Sequence, residues 1–285
     1  MLAAIVASAA RQPRLQPLLT SQRRHLMASL SPSPSASPSH PFSSSSSSSS
    51  PIAAESIARL RQHTACDVSD ALLKLKSPAA GFIADLNVYG KPCKTTTIAP
   101  VSTVLFAAKG QTPTSQDDDH PLPPSNLPAN LHWTDVVEPD SFVVIKQPPG
   151  QINAVCGGIM ALRIKIRGAK GIAVAGRVRD VAELTSTELP VMYAKILAYG
   201  TSTVGAGAGS VAWALQVPID INGVTVKPGD VAFHDPDNGF VVIPRDKLPQ
   251  VLNLMPKLVA ADDKVKEDVG RGSSVHDAFA LHRGG

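Results

Sequence analysis

The chain has 285 residues and a formal net charge of +4, from 27 Lys and Arg against 23 Asp and Glu. The excess lies in the first 50 residues, which contain four Arg and no acidic residue, so the rest of the chain holds 27 − 4 = 23 basic and 23 acidic residues. Equal numbers of basic and acidic residues in the folded part argue against a nucleic-acid-binding surface. No stretch after the first 50 residues is apolar enough to cross a bilayer. We therefore expect neither nucleic acid nor a membrane among the partners of the folded part.

The N-terminal leader has a distinct composition. Residues 1–54 are basic, rich in Ser and free of Asp and Glu, which is typical of a transit peptide. A secretory signal fits less well, because no basic segment precedes the apolar LAAIVASAA; a disordered tail without a targeting role is the other alternative. Residues 28–51 are mostly Ser and Pro, which bury too little apolar surface to offset the entropy of ordering.

These features predict three segments and a location. The segments are a mitochondrial transit peptide over 1–27, an unstructured linker over 28–51 and one folded domain over 52–285. The predicted location is the mitochondrial matrix, with the cytoplasm as the alternative.

The three cysteines, Cys66, Cys93 and Cys156, lie far apart and form no CxxC pair. This pattern argues against a disulfide framework and a zinc site, and favours a reducing compartment.

The folded part begins with two predicted helices and a strand. ESIARLRQH (55–63) and DVSDALLKL (67–75) are typical of short helices, the second with Asp67 as its N-cap. KTTTIAPVSTVLFAA (94–108) is rich in β-branched residues and predicts a strand. A loop rich in Pro and Asp follows over 111–130.

The middle of the chain alternates between strand and helix patterns. The predicted order is a strand over 141–147, a helix from Gly158, a strand over 171–176 and a helix over 180–189. In the first of these helices, Ile159, Leu162 and Ile166 recur at spacings of three and four and form an apolar stripe. A β–α–β–α order favours parallel strand pairing here.

The C-terminal part has a different pattern. VPIDINGVTVKPGDVAFHDPDNGFVVIP (217–244) places Asn-Gly and Pro-Gly-Asp turns between short alternating runs, which predicts antiparallel hairpins. A long amphipathic helix follows, with a stripe made of Leu248, Leu252, Met255 and Val259. Residues 273–283 predict a last short helix with Ser273 or Ser274 as its cap.

Two clusters of polar residues could be interpreted as metal sites. The run DDDH (117–120) lies in the predicted loop, where adjacent carboxylates are not preorganised, so a solvated loop is the preferred interpretation. His234, Asp235 and Asp237 coincide with the signal for a turn, and we interpret them as turn residues.

The predicted strand over 171–176 leads directly into Arg179 and Asp180, where the next helix begins. Ligands of open α/β sheets collect at the carboxyl ends of strands. Arg179 offers a planar donor fork that matches a carboxylate, and Asp180 offers the hard oxygen ligands that suit Mg²⁺ or Mn²⁺. Together they could hold a 2-oxo acid and a metal ion; a structural ion pair that closes the turn is the alternative.

A second candidate feature is the turn CGGIMA (156–161). Gly157 and Gly158 precede a predicted helix and leave backbone N–H groups open to an anion. A tight turn that needs glycine for its own geometry is the alternative. The helix that opens here leads straight to the strand that ends at Arg179 and Asp180, which gives the pair of glycines more weight.

The stretch GGIMALRIKIRGAKGIAVAGRVRD (157–180) resembles the signature of the RraA-like family, which includes 4-hydroxy-4-methyl-2-oxoglutarate/4-carboxy-4-hydroxy-2-oxoadipate aldolases. The similarity covers essentially the whole chain from residue 52 and is strongest to fungal members. It extends through the segments TACDVSDALLKL, HWTDVVEPDSFVVIKQPPGQ, YGTSTVGAGA and PGDVAFHDPDNGFVVIP.

This resemblance implies a fold, an activity and an assembly. The implied fold is of the α/β class, an α-β-β-α sandwich of the swivelling-domain type. The implied activity is that of a carbon–carbon lyase, which uses Mg²⁺ or Mn²⁺ to release pyruvate from 4-hydroxy-2-oxo acids by retro-aldol cleavage and from oxaloacetate by decarboxylation. The implied assembly is a homotrimer or homohexamer with active sites at subunit interfaces.

The resemblance also assigns site residues, in the motif positions of this chain. Asp180 would bind the metal, and Arg179 would contact the substrate. Backbone donors to the substrate would come from the glycine turn and the helix start, namely Gly157, Gly158, Ile159 and Met160.

The chain departs from the family pattern at three positions. Bacterial aldolases of the family often have Asp or Glu at the position of Gly158, and the family commonly has Asp at that of Ala175 and Arg at that of Tyr199. The changes at Gly158 and Tyr199 predict weaker activity on the larger aldol substrates than on oxaloacetate. The alternative function is that of a non-catalytic RraA-like protein that binds and regulates a partner, since some relatives bind ribonuclease E.

Overall fold

The computed structural model describes residues 51–89, 94–111, 122–186 and 195–283. The predicted transit peptide and almost all of the predicted linker lie outside these ranges, as does the DDDH run, so those interpretations stay predictions. Within the described ranges, no helix is long and apolar enough to span a bilayer.

The centre of the fold is a mixed sheet of eight strands. Its strand order is β1-β5-β4-β3-β2-β9-β10, and β6 pairs additionally with β2. A separate hairpin is formed by β7 and β8. The strands are β1 (Asn87–Val88), β2 (Thr97–Ala108), β3 (Phe142–Lys146), β4 (Gly171–Val178), β5 (Lys195–Thr201), β6 (Ser210–Leu215), β7 (Ile219–Ile221), β8 (Val224–Val226), β9 (Val231–Asp235) and β10 (Gly239–Ile243).

The β–α–β–α prediction is confirmed in the middle of the sheet, because β2, β3, β4 and β5 pair in parallel. The predicted hairpins are confirmed as well, with β7 antiparallel to β8 and β9 antiparallel to β10. The β7–β8 turn consists of Asn222 and Gly223, with φ angles of 53° and 82°, as expected for an Asn-Gly hairpin.

Helices cover the sheet on both outer sides. They are α1 (Ala54–Leu60), α2 (Ala65–Lys74), α3 (Gly158–Ile166), α4 (Val181–Ser186), α5 (Leu248–Gly270) and α6 (Val275–Arg283). The predicted cap of the last helix is confirmed at Ser274, whose Oγ accepts a hydrogen bond from the backbone N–H of Asp277 at 3.0 Å.

Three apolar clusters give the order of the layers. In the first, Ile164 of α3 packs on β3, β4 and β5. In the second, Phe142 and Val144 of β3 face Phe240 and Val242 of β10, so the curled sheet packs against itself. The third joins β9 and β10 to α1, α2 and α5. This sequence of layers is the predicted α-β-β-α sandwich, and it is held together by burial of apolar surface.

The predicted N-cap of the second helix is wrong by one turn. The helix begins at Ala65, and Thr64 is its N-cap, with Asp67 at the third helical position. The Thr64 hydroxyl accepts from the backbone N–H of Asp67, and the Asp67 carboxylate accepts from that of Thr64 at 2.8 Å. Both residues satisfy helix-end donors, because they form a reciprocal capping box.

Helix α3 directs its predicted apolar stripe away from the sheet. Its inward face is formed by Ala161, Ile164 and the buried part of Lys165. The predicted apolar stripe instead faces outward, and Ile159 and Ile166 are 73% and 58% exposed. The helix carries apolar residues on two faces, and spacing alone does not tell which of them meets the sheet.

Candidate functional site

The glycine turn lies beside the end of β4 because the chain before it runs alongside that strand. Cys156 and Val178 form a parallel bridge. The backbone N–H of Val155 donates to the carbonyl of Arg177 at 2.9 Å, and the N–H of Arg179 donates to the carbonyl of Cys156 at 3.0 Å. These bonds bring together the two features that the sequence places more than twenty residues apart.

Arg179 and Asp180 occupy the turn between β4 and α4. Arg179 Nε lies 3.3 Å from Asp180 Oδ2, and their side chains are 45% and 41% exposed. Asp180 has a φ of 58°, a left-handed conformation that a non-glycine residue adopts at a cost. Its carbonyl accepts from the N–H of Leu184 at 3.0 Å and so starts α4. The pair does close a turn, yet both charged groups remain accessible to a ligand.

Gly157 leaves room for this pair. A Cβ added at Gly157 would lie 2.7 Å from Asp180 Oδ2 and 3.1 Å from Arg179 Cγ. Any side chain here would therefore displace the carboxylate. The position needs glycine for close approach, with a φ of −129° that any residue adopts.

The start of α3 supplies the predicted backbone donors. Gly157 is its N-cap and makes no side-chain capping hydrogen bond, and Gly158, Ile159 and Met160 are its first three residues. Amides in the first turn of a helix have no partner within the helix and favour an anion. The Ile159 side chain points to solvent, whereas Met160 packs against the core.

A carboxylate that sequence reasoning missed lies over the same helix start. Glu183 belongs to the first turn of α4. A Cβ added at Gly158 would lie 2.7 Å from Glu183 Cβ and closer still to its carboxylate oxygen Oε2. The spacing of Asp180 and Glu183 by three residues was the available signal, because residues three apart share one side of a helix.

The guanidinium of Arg179 reaches a second glycine-rich segment. A Cβ added at Gly205 would lie 3.0 Å from Arg179 Nη1 and 3.5 Å from Arg179 Cζ. Gly205 precedes a short 3₁₀ turn at Ala206–Ala208. The segment after β5 thus packs closely on the guanidinium and limits its freedom.

A cavity of about 520 Å³ lies at the carboxyl ends of β3, β4 and β5, and its lining includes Arg177, two residues before Arg179 in the chain. Its walls include Lys146, Arg177 and Tyr199 together with Ala175 and Asp220. The sequence did not identify Lys146 or Arg177 as site residues, because only the register of β3 and β4 brings them to one cavity. Ala175 and Tyr199, two of the three positions where the chain departs from the family pattern that it resembles, both line this cavity.

Tyr199 contributes a neutral phenol to the cavity wall. Its hydroxyl accepts a hydrogen bond from Asn222 Nδ2 at 3.0 Å. Burial raises the pKa of Tyr199, with a smaller contribution from the nearby charge of Asp85, although the bond from Asn222 opposes the shift. The phenol is therefore protonated at neutral pH and cannot serve as an anionic ligand.

The donor set beside Gly157 fits a hard divalent cation that takes most of its ligands from water and substrate. Mg²⁺ binds characteristically through one or two carboxylates plus waters and substrate oxygens. Asp180 supplies one such carboxylate, and Glu183 lies three residues further along. The described ranges hold no group of three or more His, Cys, Asp or Glu that could form an all-protein metal cage.

The alternative cluster at the β9–β10 turn has a structural role. Asp235 Oδ2 accepts from the backbone N–H of Ala65 at 3.0 Å and from Asn238 Nδ2 at 2.8 Å. Its Oδ1 accepts from the N–H of Asp237 at 3.0 Å. Asp235 therefore ties the turn to the start of α2.

Comparisons with known proteins place this geometry in context. Protein DlpA of Legionella pneumophila is 34% identical over 148 residues, which is 52% of this chain and 23% of that protein. A Halalkalibacterium halodurans protein named "Putative 4-hydroxy-4-methyl-2-oxoglutarate aldolase" is 30% identical over 129 residues, or 45% of this chain and 58% of that protein. The chain thus spans less than two thirds of the length of these relatives.

Two solved structures share the fold. An uncharacterized protein from Pseudomonas syringae pv. tomato matches with a TM-score of 0.59 and 21% identity, over 80% of this chain and 98% of the other. Streptomyces coelicolor RraAS2, an unusual member of the RNase ES inhibitor RraA family, matches with a TM-score of 0.55 and 22% identity, over 78% and 98%. The model of the family described as "RraA-like: Aldolase/RraA" matches residues 65–242. This match covers more than half of the sequence and includes the glycine turn, Arg179, Asp180 and Glu183, and the chain therefore belongs to the RraA-like family.

Proposed function

We propose that this protein is a divalent-metal-dependent carbon–carbon lyase that forms pyruvate from 2-oxo acids. The supporting observation is the half-exposed pair of Arg179 and Asp180, held against Gly157 and the open start of α3. Two relatives, at 30% and 34% identity, carry the name "Putative 4-hydroxy-4-methyl-2-oxoglutarate aldolase". The candidate reactions are retro-aldol cleavage of such acids, decarboxylation of oxaloacetate, or both.

Asp180 is the residue that would hold Mg²⁺ or Mn²⁺. When bound, such an ion supplies Lewis acidity that polarises the 2-oxo group of a substrate. The carboxylate of Glu183, which lies over Gly158, would accept hydrogen bonds from water beside that group. A structure in which Asp180 is strained but accessible is consistent with a ligand position rather than with a purely structural cap.

Arg179 would orient the substrate. Its guanidinium presents parallel N–H donors to the carboxylate next to the 2-oxo group, and contact with Gly205 limits the orientations of that fork. The first amides of α3 would donate to substrate oxygens, since the helix dipole favours negative charge there. Held in this way, the substrate keeps its reacting bond in one orientation, which is the main contribution of such positioning to rate.

The retro-aldol step needs only water beside Glu183 and solvent for its proton transfers. The hydroxyl at C4 loses its proton to water beside Glu183, and its oxygen forms a carbonyl as the C3–C4 bond breaks. The electron pair moves to C3, which is protonated by solvent. Pyruvate and a second carbonyl compound leave, and no oxidant or reductant is needed.

We also propose a homotrimer or homohexamer in which the site lies at a subunit interface. The supporting feature is the outward apolar row of Ile159, Leu162 and Ile166, which begins in the first turn of α3 beside the site. Exposed apolar rows of this kind favour contact with another protein surface.

The test is a pyruvate-release assay with oxaloacetate and 4-hydroxy-4-methyl-2-oxoglutarate, with Mg²⁺ and with a chelator. Asp180→Asn should abolish activity and weaken Mn²⁺ binding measured by electron paramagnetic resonance. Asp140→Asn is the matched control, because Asp140 has a similar φ of 56° but lies on the surface, paired with Lys170 at 2.6 Å. Full activity of Asp180→Asn would contradict the proposal, and absence of activity in the wild type would favour the non-catalytic binding function.

A further inference from the structure

Strand β4 contains one extra residue shortly before it reaches Arg179. Val174 of β4 pairs with Ala198 of β5. The next pair joins Arg177 to Gly200, which is three residues further along β4 but only two further along β5. An extra residue of this kind is a β-bulge, which bends the strand and redirects the side chains that follow it. The direction in which Arg179 leaves the sheet therefore depends on how this bulge is held.

The amide of Gln147 packs against the bulge. Gln147 is 5% exposed and directly follows β3, and its backbone N–H donates to the carbonyl of Ala175 at 3.0 Å. Its side-chain Oε1 accepts from the backbone N–H of Arg177 at 2.9 Å. A Cβ added at Gly176 would lie 2.6 Å from Gln147 Cβ, so glycine at this position leaves room for the amide. Gln147 thus supplies the acceptor for the first residue after the bulge, where an unpaired N–H would be costly.

The other end of the same amide holds the chain that leads to the glycine turn. Gln147 Nε2 donates to the carbonyl of Asn153 at 2.7 Å. From there the chain runs to Val155, whose N–H donates to the carbonyl of Arg177 at 2.9 Å, and on to Gly157. The oxygen of the Gln147 amide meets an N–H donor and its nitrogen meets a carbonyl acceptor, so both ends are satisfied in this orientation. One buried side chain therefore joins both halves of the candidate site.

A third segment of the site is attached to the same amide. Ser210 Oγ accepts from Gln147 Nε2 at 3.3 Å and donates to Asn153 Oδ1 at 3.3 Å. Asn153 and Ser210 are 1% and 4% exposed. Ser210 follows the glycine-rich segment that starts at Gly205 and packs on the Arg179 guanidinium. Because the members of a buried polar network depend on one another for their hydrogen bonds, displacement of the amide would disturb all three segments.

We infer that Gln147 is a positioning residue, whose amide sets the place of Arg179 and Asp180 relative to the glycine turn. The inference rests on the proposed function and adds to it a residue that acts through others, namely through the backbone of Arg177 and through Asn153. Without the amide, the end of β4 would shift to satisfy the N–H of Arg177. A displacement of about 1 Å at a reacting group can lower the rate by about a hundredfold.

Gln147→Met tests this role, because Met keeps the length of the side chain and removes both hydrogen-bonding groups. We expect kcat/KM for pyruvate release to fall by about tenfold or more, and Mn²⁺ binding measured by electron paramagnetic resonance to weaken. Gly176→Ala is a second, independent variant, because its new Cβ would displace the amide without removing a hydrogen-bonding group. Both variants are measured at a temperature at which circular dichroism shows folded protein.

Gln216→Met is the matched control. Gln216 also joins neighbouring segments through its amide, whose Oε1 accepts from the N–H of Thr103 at 3.4 Å and whose Nε2 donates to Ser102 Oγ at 3.2 Å. Ser102 pairs with Val143 near the start of β3, whereas Gln147 follows the end of that strand. The control should lower the melting temperature and leave kcat/KM and Mn²⁺ affinity unchanged.

The outcomes separate the positioning role from the proposed function. With an active wild type, the positioning role is overturned if Gln147→Met or Gly176→Ala is folded and keeps wild-type kcat/KM and Mn²⁺ affinity, or if the control loses as much as they do. Failure of both variants to fold assigns Gln147 a structural role and overturns the inference as well.

A wild type that releases no pyruvate overturns the lyase, and the Mn²⁺ affinities then decide alone. Weaker Mn²⁺ binding by Gln147→Met and Gly176→Ala than by the wild type and the control supports the positioning role, and equal binding overturns it. A wild type that neither releases pyruvate nor binds Mn²⁺ overturns both.

Discussion

The carboxylate of Glu183 occupies the space that a side chain on Gly158 would fill. The two residues belong to different helices, α4 and α3, and they meet because residues 155–157 run along the end of β4. A carboxylate is therefore present at the start of α3 although the helix itself carries none in its first turn. We expect this carboxylate to hold water next to the metal that Asp180 would bind.

Substitution of Glu183 by Gln tests that role. The variant keeps the size of the side chain and removes its charge. Outer-shell partners of a metal site typically contribute about 10–100-fold to metal affinity or activity. We expect Glu183→Gln to lower kcat and weaken Mn²⁺ binding within this range, with little change in melting temperature.

A purely structural role predicts a different pattern. A charge at a helix N-terminus contributes about 0.3–1 kcal/mol to stability. If Glu183 only stabilises α3, Glu183→Gln should lower the melting temperature and leave Mn²⁺ affinity intact, which would contradict a function in the site.

The close contacts of Gly205 lead to a second prediction. Gly205→Ala should push the Arg179 guanidinium away from its position, since the new Cβ would lie 3.0 Å from Nη1. We expect a higher KM for 2-oxo acids, because the fork would no longer match the substrate carboxylate. Gly207→Ala is the matched control two residues away, where a Cβ meets nothing within 4 Å. Equal kinetics of the two variants would show that the position of Arg179 does not depend on this contact.

Much of this arrangement could be predicted from local sequence patterns. The strand that ends in Arg179 and Asp180, the parallel pairing and the Asn222–Gly223 turn all depend on short-range spacing, and the structure confirms them. The parts of the site that the sequence patterns did not predict depend on contacts between segments far apart in the chain. Glu183 comes to lie over Gly158, and Lys146 comes to line one cavity with Arg177, only after the strands have paired in register.

These distant contacts bear on one expectation about substrates. The absence of a carboxylate at Gly158 and of a cation at Tyr199 predicted weaker activity on aldol substrates than on oxaloacetate. In the structure, the Glu183 carboxylate lies over Gly158. Arg177 lines the same cavity as Tyr199. Both contacts weaken the reasons for that order, which stays a prediction. A comparison of kcat/KM for oxaloacetate with kcat/KM for 4-hydroxy-4-methyl-2-oxoglutarate tests it.

The outward apolar row of α3 gives a third prediction, on assembly. Ile166→Asp places a charge in this row and should lower the oligomer mass measured by light scattering, because burial of an unpaired charge is costly. Leu73→Asp is the matched control, since Leu73 is a similarly exposed apolar residue on α2, at 64%. The same mass for Ile166→Asp and the wild type would exclude this face of α3 from the interface.

The last prediction concerns acid stability and Asp235, which is 6% exposed. Burial alone raises the pKa of this carboxyl, but hydrogen bonds from the N–H of Ala65, from Asn238 and from the N–H of Asp237 together lower it below its usual value. A lowered pKa in the folded state means that the ionised carboxylate stabilises the fold above the unfolded pKa of about 3.9. This contribution is lost as the pH falls from there through the folded-state pKa.

Asp235→Asn removes the charge and one acceptor oxygen of this hydrogen-bonded carboxylate. A hydrogen bond to a charged group contributes about 1.5–3 kcal/mol, so we expect a loss of unfolding free energy of that order at pH 7. The dependence of stability on pH below about 4.5 should also become shallower, because the linked protonation is gone. Urea unfolding followed by circular dichroism between pH 3 and 7 measures both effects. Asp237→Asn, at an exposed neighbouring position, is the control, and equal pH profiles of the two variants would contradict a special role for Asp235.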